Sequence, residues 1–353
     1  MRYDVVVVGC GPSGASALRR CAELGLRSLG VEKYKLPRPK PCAGILYPRV
    51  LEDFQVPREA VLSTLQGIRL IAPSGKQAFI KLDPPGAIVD RQVFDYLLVQ
   101  EAVKVGAELV EEARVRKVEV RGTSYQVYVE GLGVVEAKFL VAADGVYSTI
   151  ARSLNLPWRK EDLALTMQTY VRVSEEARRS VEGIFEVYYD PSKILGGWIW
   201  VAGRARDVLV GIGSSLNYLN HPLKLKQRLT SFLKHRFKEP KVLKEEAYML
   251  PFKGPKKDSQ LVKGKTIFVG DAGGFVRSDT GEGVYYAMHS GLAAAEAIYD
   301  YLAQGGSLKD LYVKKLDERG MLQLYGLTEV HEALLSVEEA EAFIDRVRKL
   351  GGA

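Results

Sequence analysis

Hydrophobic and polar positions change period three times within the first 32 residues. Tyr3–Val8 (YDVVVV) is a β-branched run that predicts a strand buried on both faces. After a glycine-rich turn, Ala15, Leu18, Ala22 and Leu24 recur at helical spacing. They predict a helix that starts near Pro12, turns this face to a sheet and stops at Gly25. Ser28–Val31 predicts a second strand, ending at Glu32. The strand–turn–helix pattern returns twice. Phe139–Ala142 leads through Asp144–Gly145 into a helix holding Ser148 and Arg152. Thr266–Val269 leads through Gly270–Asp271 to a helix that opens near Gly281–Gly283. A further helix is predicted over Arg91–Val105.

In the middle of the chain the period falls to two. The stretches LALTMQTYVRV, GIFEVYYD, GGWIWVAG and DVLVGIG alternate as strands do, and 68–82 reads as a hairpin turning at Pro73–Ser74–Gly75. Beyond residue 306 the helical period resumes. Leu308, Leu311, Tyr312 and Leu316 make an apolar stripe, and Met321, Leu322, Leu324 and Tyr325 continue it. The fold class expected is α/β (α+β overall). A Rossmann domain of residues 1–66, 84–160 and 260–305 is interleaved with a β-sheet substrate domain of 67–83 and 161–259. A C-terminal helical segment, 306–353, follows.

Composition adds limits. The chain has 353 residues, 47% hydrophobic and 26% charged, ordinary values for a globular protein with a sizeable core. No apolar run approaches the roughly 18 residues of a membrane span, and Val5–Val8 lead into the glycine turn rather than into an export signal. Three cysteines, Cys10, Cys21 and Cys42, form no CxxC pair. A reduced, cytoplasmic protein without a cysteine-ligated cluster is expected. His221, His235, His289 and His331 are scattered, so no metal site is expected. The net charge of +7 comes largely from 234–246 and 253–258. It fits a solvated face, an acidic redox partner or an anionic lipid surface; without a recognition module, nucleic acid is not expected.

The glycine turn carries the first chemistry. Gly9, Gly11 and Gly14 have the GxGxxG spacing: one for the tight turn, one for close approach to a pyrophosphate, one for helix–strand packing. The helix N-terminus behind them favours phosphate, and Glu32, 18 residues past Gly14, stands where a carboxylate accepts from an adenosine ribose. That leaves NAD or FAD. A strand returning more than 250 residues after the turn serves the longer cofactor, FAD, with Asp271 as acceptor for the ribityl chain. The helix near Gly283 then aims its positive end at the flavin edge that becomes anionic on reduction. There is no second GxGxxG for a separate NAD(P)H module.

Together these motifs resemble the glutathione-reductase-type flavoproteins of the aromatic-hydroxylase superfamily. KPCAGIL (40–46), VDRQVFDYLL (89–98) and GDAGGFVRSDTGEGVYYAM (270–288) resemble the geranylgeranyl reductase family, over residues 1 to about 300. The resemblance implies reduction of isoprenoid double bonds of a lipid or quinone. It implies flavin contacts at Ser13, Glu32, Cys42, Ala43, Gly44, Arg91, Val115, Asp271, Gly283 and Val284, beside Gly9, Gly11, Gly14 and Gly281. Arg91, at a helix start, suits a bidentate grip on the pyrophosphate. In the family a cysteine at the place of Cys42 lies near the isoalloxazine and is implicated in turnover. Here it either donates the proton that accompanies hydride addition or only packs on the flavin. Trp198 and Trp200 share one face of their strand, as a wall for a prenyl chain or as ordinary sheet core.

The sequence departs from the family around LGGWIWVAG, where Leu195, Trp198 and Ala202–Gly203 replace a proline, a tyrosine and a closing Phe-Pro. Arg277–Ser278, followed by Asp279, replace Asn-Pro. The electron donor is external, reduced ferredoxin or NAD(P)H. Two rivals share the fold expectation: an aromatic or quinone monooxygenase, and a flavin electron-transfer protein. GWIW also resembles the WxWxIP of flavin-dependent halogenases but lacks its Ile-Pro. The C-terminal stripe is expected to pack on the flavin domain, the alternatives being a tunnel cap or a peripheral membrane contact.

Overall fold

A computed structural model describes residues 1–322 and 328–351. The strands are β1 (Arg2–Val8), β2 (Ser28–Val31), β3 (Ile45–Leu46), β4 (Val61–Ile71), β5 (Gln77–Val89), β6 (Glu108–Val110), β7 (Val115–Arg121) and β8 (Ser124–Val129). After them come β9 (Gly133–Ala142), β10 (Leu163–Arg172), β11 (Ile184–Tyr188), β12 (Gly197–Gly203), β13 (Val208–Ser215), β14 (Lys241–Pro251), β15 (Val262–Lys263) and β16 (Thr266–Phe268). The helices are α1 (Pro12–Glu23), α2 (Pro48–Asp53), α3 (Arg91–Lys104), α4 (Thr149–Ser153), α5 (Glu175–Arg179) and α6 (Pro222–Arg236). They continue with α7 (Asp258–Leu261), α8 (Gly270–Gly273), α9 (Val284–Gln304), α10 (Leu308–Asp317), α11 (Thr328–Ala333) and α12 (Val337–Lys349). Two compact units result: Met1–Pro39, Gln92–Trp158 and Pro251–Gly326; and Lys40–Arg91, Arg159–Leu250 and Leu327–Ala353.

The first unit is built on the parallel run β16–β9–β1–β2–β6. The valine run explains its layering. Val5 and Val7 join Leu18 of α1 and Ala293, Ala294 and Ile298 of α9 in one cluster. Val6 and Val8 join Val118, Val127 and Val135 of the β7–β8–β9 meander in another. Alternate side chains thus enter opposite cores, as an unbroken apolar run requires. In α1, Ala15 and Leu18 are buried as expected, whereas Ala22 and Leu24 are only half-buried. Ser148 caps α4 through its hydroxyl rather than lying within it. Asp271 lies in the first turn of α8, not at the end of a strand.

The second unit is one sheet, ordered β14–β10–β13–β12–β11–β4–β5–β3. Helix α6 covers one face: Leu225, Leu229 and Leu233 pack with Ile199, Val201, Val208, Val210 and Ile212. The expected hairpin is longer than 68–82 and belongs to this sheet, its strands running over 61–71 and 77–89. Residues 40–66 group here rather than with the Rossmann domain, because β3 pairs with β5 and β4 begins at Val61. The C-terminal segment is divided. Leu308, Tyr312, Leu316 and Met321 are buried in the core of the first unit, so the stripe of α10 is a packing face and is not open to a membrane. Helices α11 and α12 belong to the second unit, where Gly196 N donates to Leu334 O and Tyr189 meets Phe343 edge-on. Leu324 and Tyr325 lie outside the described residues. Among the described residues no helix is long and apolar enough to cross a membrane.

Candidate functional site

In the first unit three sequence-distant motifs converge. At the end of β1, Gly9 adopts φ +90°, and a Cβ there would lie 2.5 Å from Ala143 O. A Cβ on Gly14 would lie 1.9 Å from Gly9 O, so the turn closes only with glycine at both positions. At Gly11 a notional Cβ would meet only the Arg38 guanidinium, with Nη2 at 3.4 Å. Gly11 is also the N-cap of α1 and supplies no side-chain cap, which leaves the first-turn amides to an outside acceptor. The cradle therefore fits a dinucleotide pyrophosphate.

Glu32, 3% exposed, follows β2. Its Oε2 accepts from Cys10 N at 2.9 Å and its Oε1 from Tyr34 N at 3.2 Å. Arg38 stands 3.6 Å from Glu32 and 3.5 Å from the buried Asp95. Sequence reasoning missed Arg38 and Asp95; a single arginine in a proline-rich loop carries no periodic signal, yet it sets a cation beside Gly11. Cys10 and Cys21 are sealed in the core, where burial pushes both thiols up, that of Cys21 to about 12.

The late motif completes this cluster. Gly270, φ +53°, touches Ser13: a Cβ there would lie 2.5 Å from the Ser13 hydroxyl. Ser290 of α9 accepts from Gly270 N at 3.0 Å. Asp271 Oδ1 lies 4.0 Å from where a Cβ on Gly283 would stand, and Gly283 is the N-cap of α9, without a side-chain cap. Gly281, φ +70°, turns the chain into that helix, and Val284 begins it, buried. The departure at 277–279 forms an ion pair between Arg277 and Asp279, which with Arg277 N donating to Glu282 O at 2.9 Å closes the loop. Val115 opens β7 with its side chain in the Val8–Val31 cluster.

Cys42, Ala43, Gly44, Arg91, Trp198 and Trp200 belong to the second unit. Cys42 is half-buried, and its Sγ accepts from Gly44 N at 3.4 Å. Gly44, φ +75°, lies so close to β5 that a Cβ would meet Val89 O at 2.2 Å. The loop carrying Cys42 bridges the two sheet edges. Lys40 Nζ rests 3.4 Å above the Tyr248 ring on β14, while Ile45 pairs with Ile88 on β5. Arg91 is buried at the start of α3 and is partnered.

By strand alternation, Trp198 and Trp200 face away from α6, with Phe185 and Val187 on β11 and Thr166, Gln168 and Tyr170 on β10. On that face Gln168 Nε2 donates to Tyr170 Oη at 3.1 Å and to Glu246 Oε2 at 3.0 Å, and Tyr170 donates to the same oxygen at 3.1 Å. Burial, reinforced by Glu246 and by Cys42, pushes the Tyr170 phenol well above its ordinary range. Sequence reasoning passed over this trio because polar residues on a strand read as its solvated side. No group of metal-ligating side chains occurs among the described residues.

A family model described as an FAD binding domain matches residues 2–315. The digeranylgeranylglycerophospholipid reductase of Methanocaldococcus jannaschii is 31% identical over 83% of this chain and 76% of its own. The geranylgeranyl diphosphate reductase of Rhodobacter capsulatus is 29% identical over 92% of this chain and 81% of its own. Among solved structures, a geranylgeranyl bacteriochlorophyll reductase-like protein from Thermoplasma acidophilum superposes with a TM-score of 0.86. It is 24% identical and covers 98% of this chain and 91% of its own. A flavin-dependent brominase superposes at 0.73 and 21% identity, covering 99% and 94%. At these identities the solved structures share the fold, which serves more than one flavin chemistry.

Proposed function

Because the chain belongs to the geranylgeranyl reductase family of FAD-dependent oxidoreductases, we propose that it saturates isoprenoid double bonds in the geranylgeranyl chain of a lipid or a prenylated quinone. Reduced FAD supplies the hydride when bound. The residues of the first unit account for its retention. The amides after Gly11, with Ser13, take the pyrophosphate, and Glu32 takes the adenosine ribose. Asp271 takes the ribityl chain, and the α9 N-terminus behind Gly283 and Val284 faces the pyrimidine edge. Gly281 shapes the turn, and Val115 makes its contact through backbone. Arg91, Ala43 and Gly44 are further flavin contacts by the family resemblance.

The observation that carries the reading beyond the cofactor lies in the second unit. The half-buried Cys42 lies in the loop whose Lys40 rests on Tyr248 of β14 and whose Ile45 pairs with β5. The sheet that these strands edge bears Trp198, Trp200, Phe185 and Val187 on the face away from α6. That face is a wall for a prenyl chain. Cys42 gives its S–H proton to the alkene carbon that does not receive hydride, which leaves a thiolate and completes the addition of two hydrogens. The electrons come from outside, from reduced ferredoxin or NAD(P)H. The protein works in the cytoplasm and meets its lipid at a membrane surface.

The test is anaerobic. The FAD-loaded protein is reduced chemically and mixed with a geranylgeranyl glycerolipid, and flavin reoxidation and product mass are followed. Reoxidation with a gain of two hydrogens per double bond is expected, slowed at least tenfold in Cys42→Ala, in line with the usual contribution of a positioned acid. A flavin that stays reduced until air is admitted, with oxygen then appearing in the product, would replace this reading with hydroxylation.

A further inference from the structure

Arg38 carries five N–H donors and forms no hydrogen bond with the described residues, although its side chain is only 12% exposed. Its two charged neighbours are carboxylates. Nε stands 3.6 Å from Glu32 Oε1 and Nη1 3.5 Å from Asp95 Oδ2, ion-pair separations too long for well-formed hydrogen bonds. Glu32 is already engaged, since its two oxygens accept from Cys10 N and Tyr34 N. The third nitrogen, Nη2, points elsewhere. It lies 3.4 Å from where a Cβ on Gly11 would stand, over the turn whose amides lack a side-chain cap.

The surrounding chain keeps it there. Arg38 lies between Pro37 and Pro39, and the second proline disfavours a helical backbone at Arg38. Leu36 is buried in one cluster with Cys10 of the glycine turn, Ala15 of α1 and Val99 of α3. Asp95 lies one turn before Val99 on that helix and is 1% exposed. Loop, glycine turn and α3 therefore share one small core. Charge gives the arrangement its sense. Two buried carboxylates, Glu32 and Asp95, border a turn shaped for a pyrophosphate. Each would repel a phosphate in a setting of low dielectric. One guanidinium between them screens both and still has donors to give.

We infer that Arg38 is a phosphate-binding residue of the cofactor site. The inference rests on the placement of FAD given above and adds a side-chain cation to the amides after Gly11. Nη2 donates to the phosphate joined to the adenosine ribose, because Glu32, which takes that ribose, holds Nε of the same guanidinium. Glu32 and Asp95 fix the plane of the fork, so Arg38 reads this phosphate by direction as well as by charge. Arg38 then favours an adenylated flavin over flavin mononucleotide, which lacks that phosphate.

The experiment titrates FAD into the full-length protein stripped of its flavin, following flavin fluorescence, and records phosphorus NMR spectra of the reloaded protein. Arg38→Met keeps an unbranched stem and removes the charge, whereas Arg38→Lys keeps the charge and removes the fork. FAD affinity is expected to fall about ten- to a hundredfold in Arg38→Met, the range of one charge-assisted hydrogen bond, and about three- to tenfold in Arg38→Lys. Of the two phosphorus resonances of bound FAD, the adenosine-side one is expected to shift in Arg38→Lys and the flavin-side one to stay. Affinity within twofold of wild type in both variants overturns the assignment. Weaker binding with both resonances unmoved, or moved equally, also overturns it and makes Arg38 a screen for Glu32 alone. Should Arg38→Met not fold, Arg38→Lys decides by the same two readouts. A wild-type protein that takes up no FAD would instead overturn the placement of the cofactor on which the assignment rests.

Discussion

Asp144 shows how a single residue acts at two levels. It ends the ADG turn, and its Oδ2 accepts from Thr149 N at 2.6 Å and Ile150 N at 3.2 Å. Full burial raises its carboxyl above the ordinary 3.8, and the hydrogen bonds from Ser148 and the α4 amides offset this only in part. The folded state therefore binds the proton more tightly than the unfolded chain does. This contribution to stability is complete below about 3.8 and is lost as pH rises through the raised folded value. Asp144→Asn retains an acceptor for the two amides and removes the titration. Thermal melts from pH 4 to 7 are expected to show the variant gaining on wild type as pH rises; parallel curves would refute the assignment. At this scale the sequence was unevenly legible. The place of Glu32 against the glycine turn follows from a fixed offset in sequence. The places of Arg38, Gln168, Tyr170 and Glu246 do not, because their partners are set by sheet order and loop path, which no local spacing encodes.

Elements make contact at separations that the sequence marks only with small residues. Ser13 of α1 and Gly291 of α9 are far apart in sequence, yet a Cβ on Gly291 would stand 2.1 Å from Ser13 O and 3.0 Å from Ala17 N. Ser13 is also in the turn proposed to hold the pyrophosphate, so this contact ties helix packing to the cofactor. Gly291→Ala must move α9 or α1 by more than an ångström. Overpacking of this kind costs about 1–3 kcal/mol, and the expected result is a melting temperature several degrees lower with reduced FAD occupancy after gel filtration. Full occupancy at an unchanged melting temperature would show that the helices are not so closely fitted. Helix α6 went unread for a related reason. Leu225, Leu229 and Leu233 keep a four-residue spacing, but lysines and arginines surround them and they fall within 161–259, which reads as β-rich. Its anchor is equally non-local: Glu186, 2% exposed, accepts from Arg69 of β4 at 2.6 Å and lies 3.4 Å from Arg236 of α6.

For the whole molecule, period and glycine spacing were sufficient for the class of fold, but not for the division of the chain. The Rossmann strands were legible because each is a short apolar run ending in a glycine turn. Residues 40–66 were placed with them, although β3 and β4 pair into the other sheet, a fact of register rather than of composition. Charge is the remaining whole-molecule property. The excess of +7 includes Lys234, Lys238 and Lys241, all exposed at the end of α6 and on the edge strand β14. Lysines on such an edge also discourage pairing with another chain. If the electrons arrive from reduced ferredoxin, an acidic protein, attraction across many charges should dominate encounter, and screening at 0.1 M salt already acts within about 10 Å. Stopped-flow reduction of the FAD-loaded protein is then expected to slow at least tenfold between 20 and 300 mM salt with ferredoxin. A small donor such as NADPH should change far less, because it meets only a local part of the field. Equal salt dependence for both donors would remove the protein donor from the scheme, and with it any role for the basic edge in electron delivery.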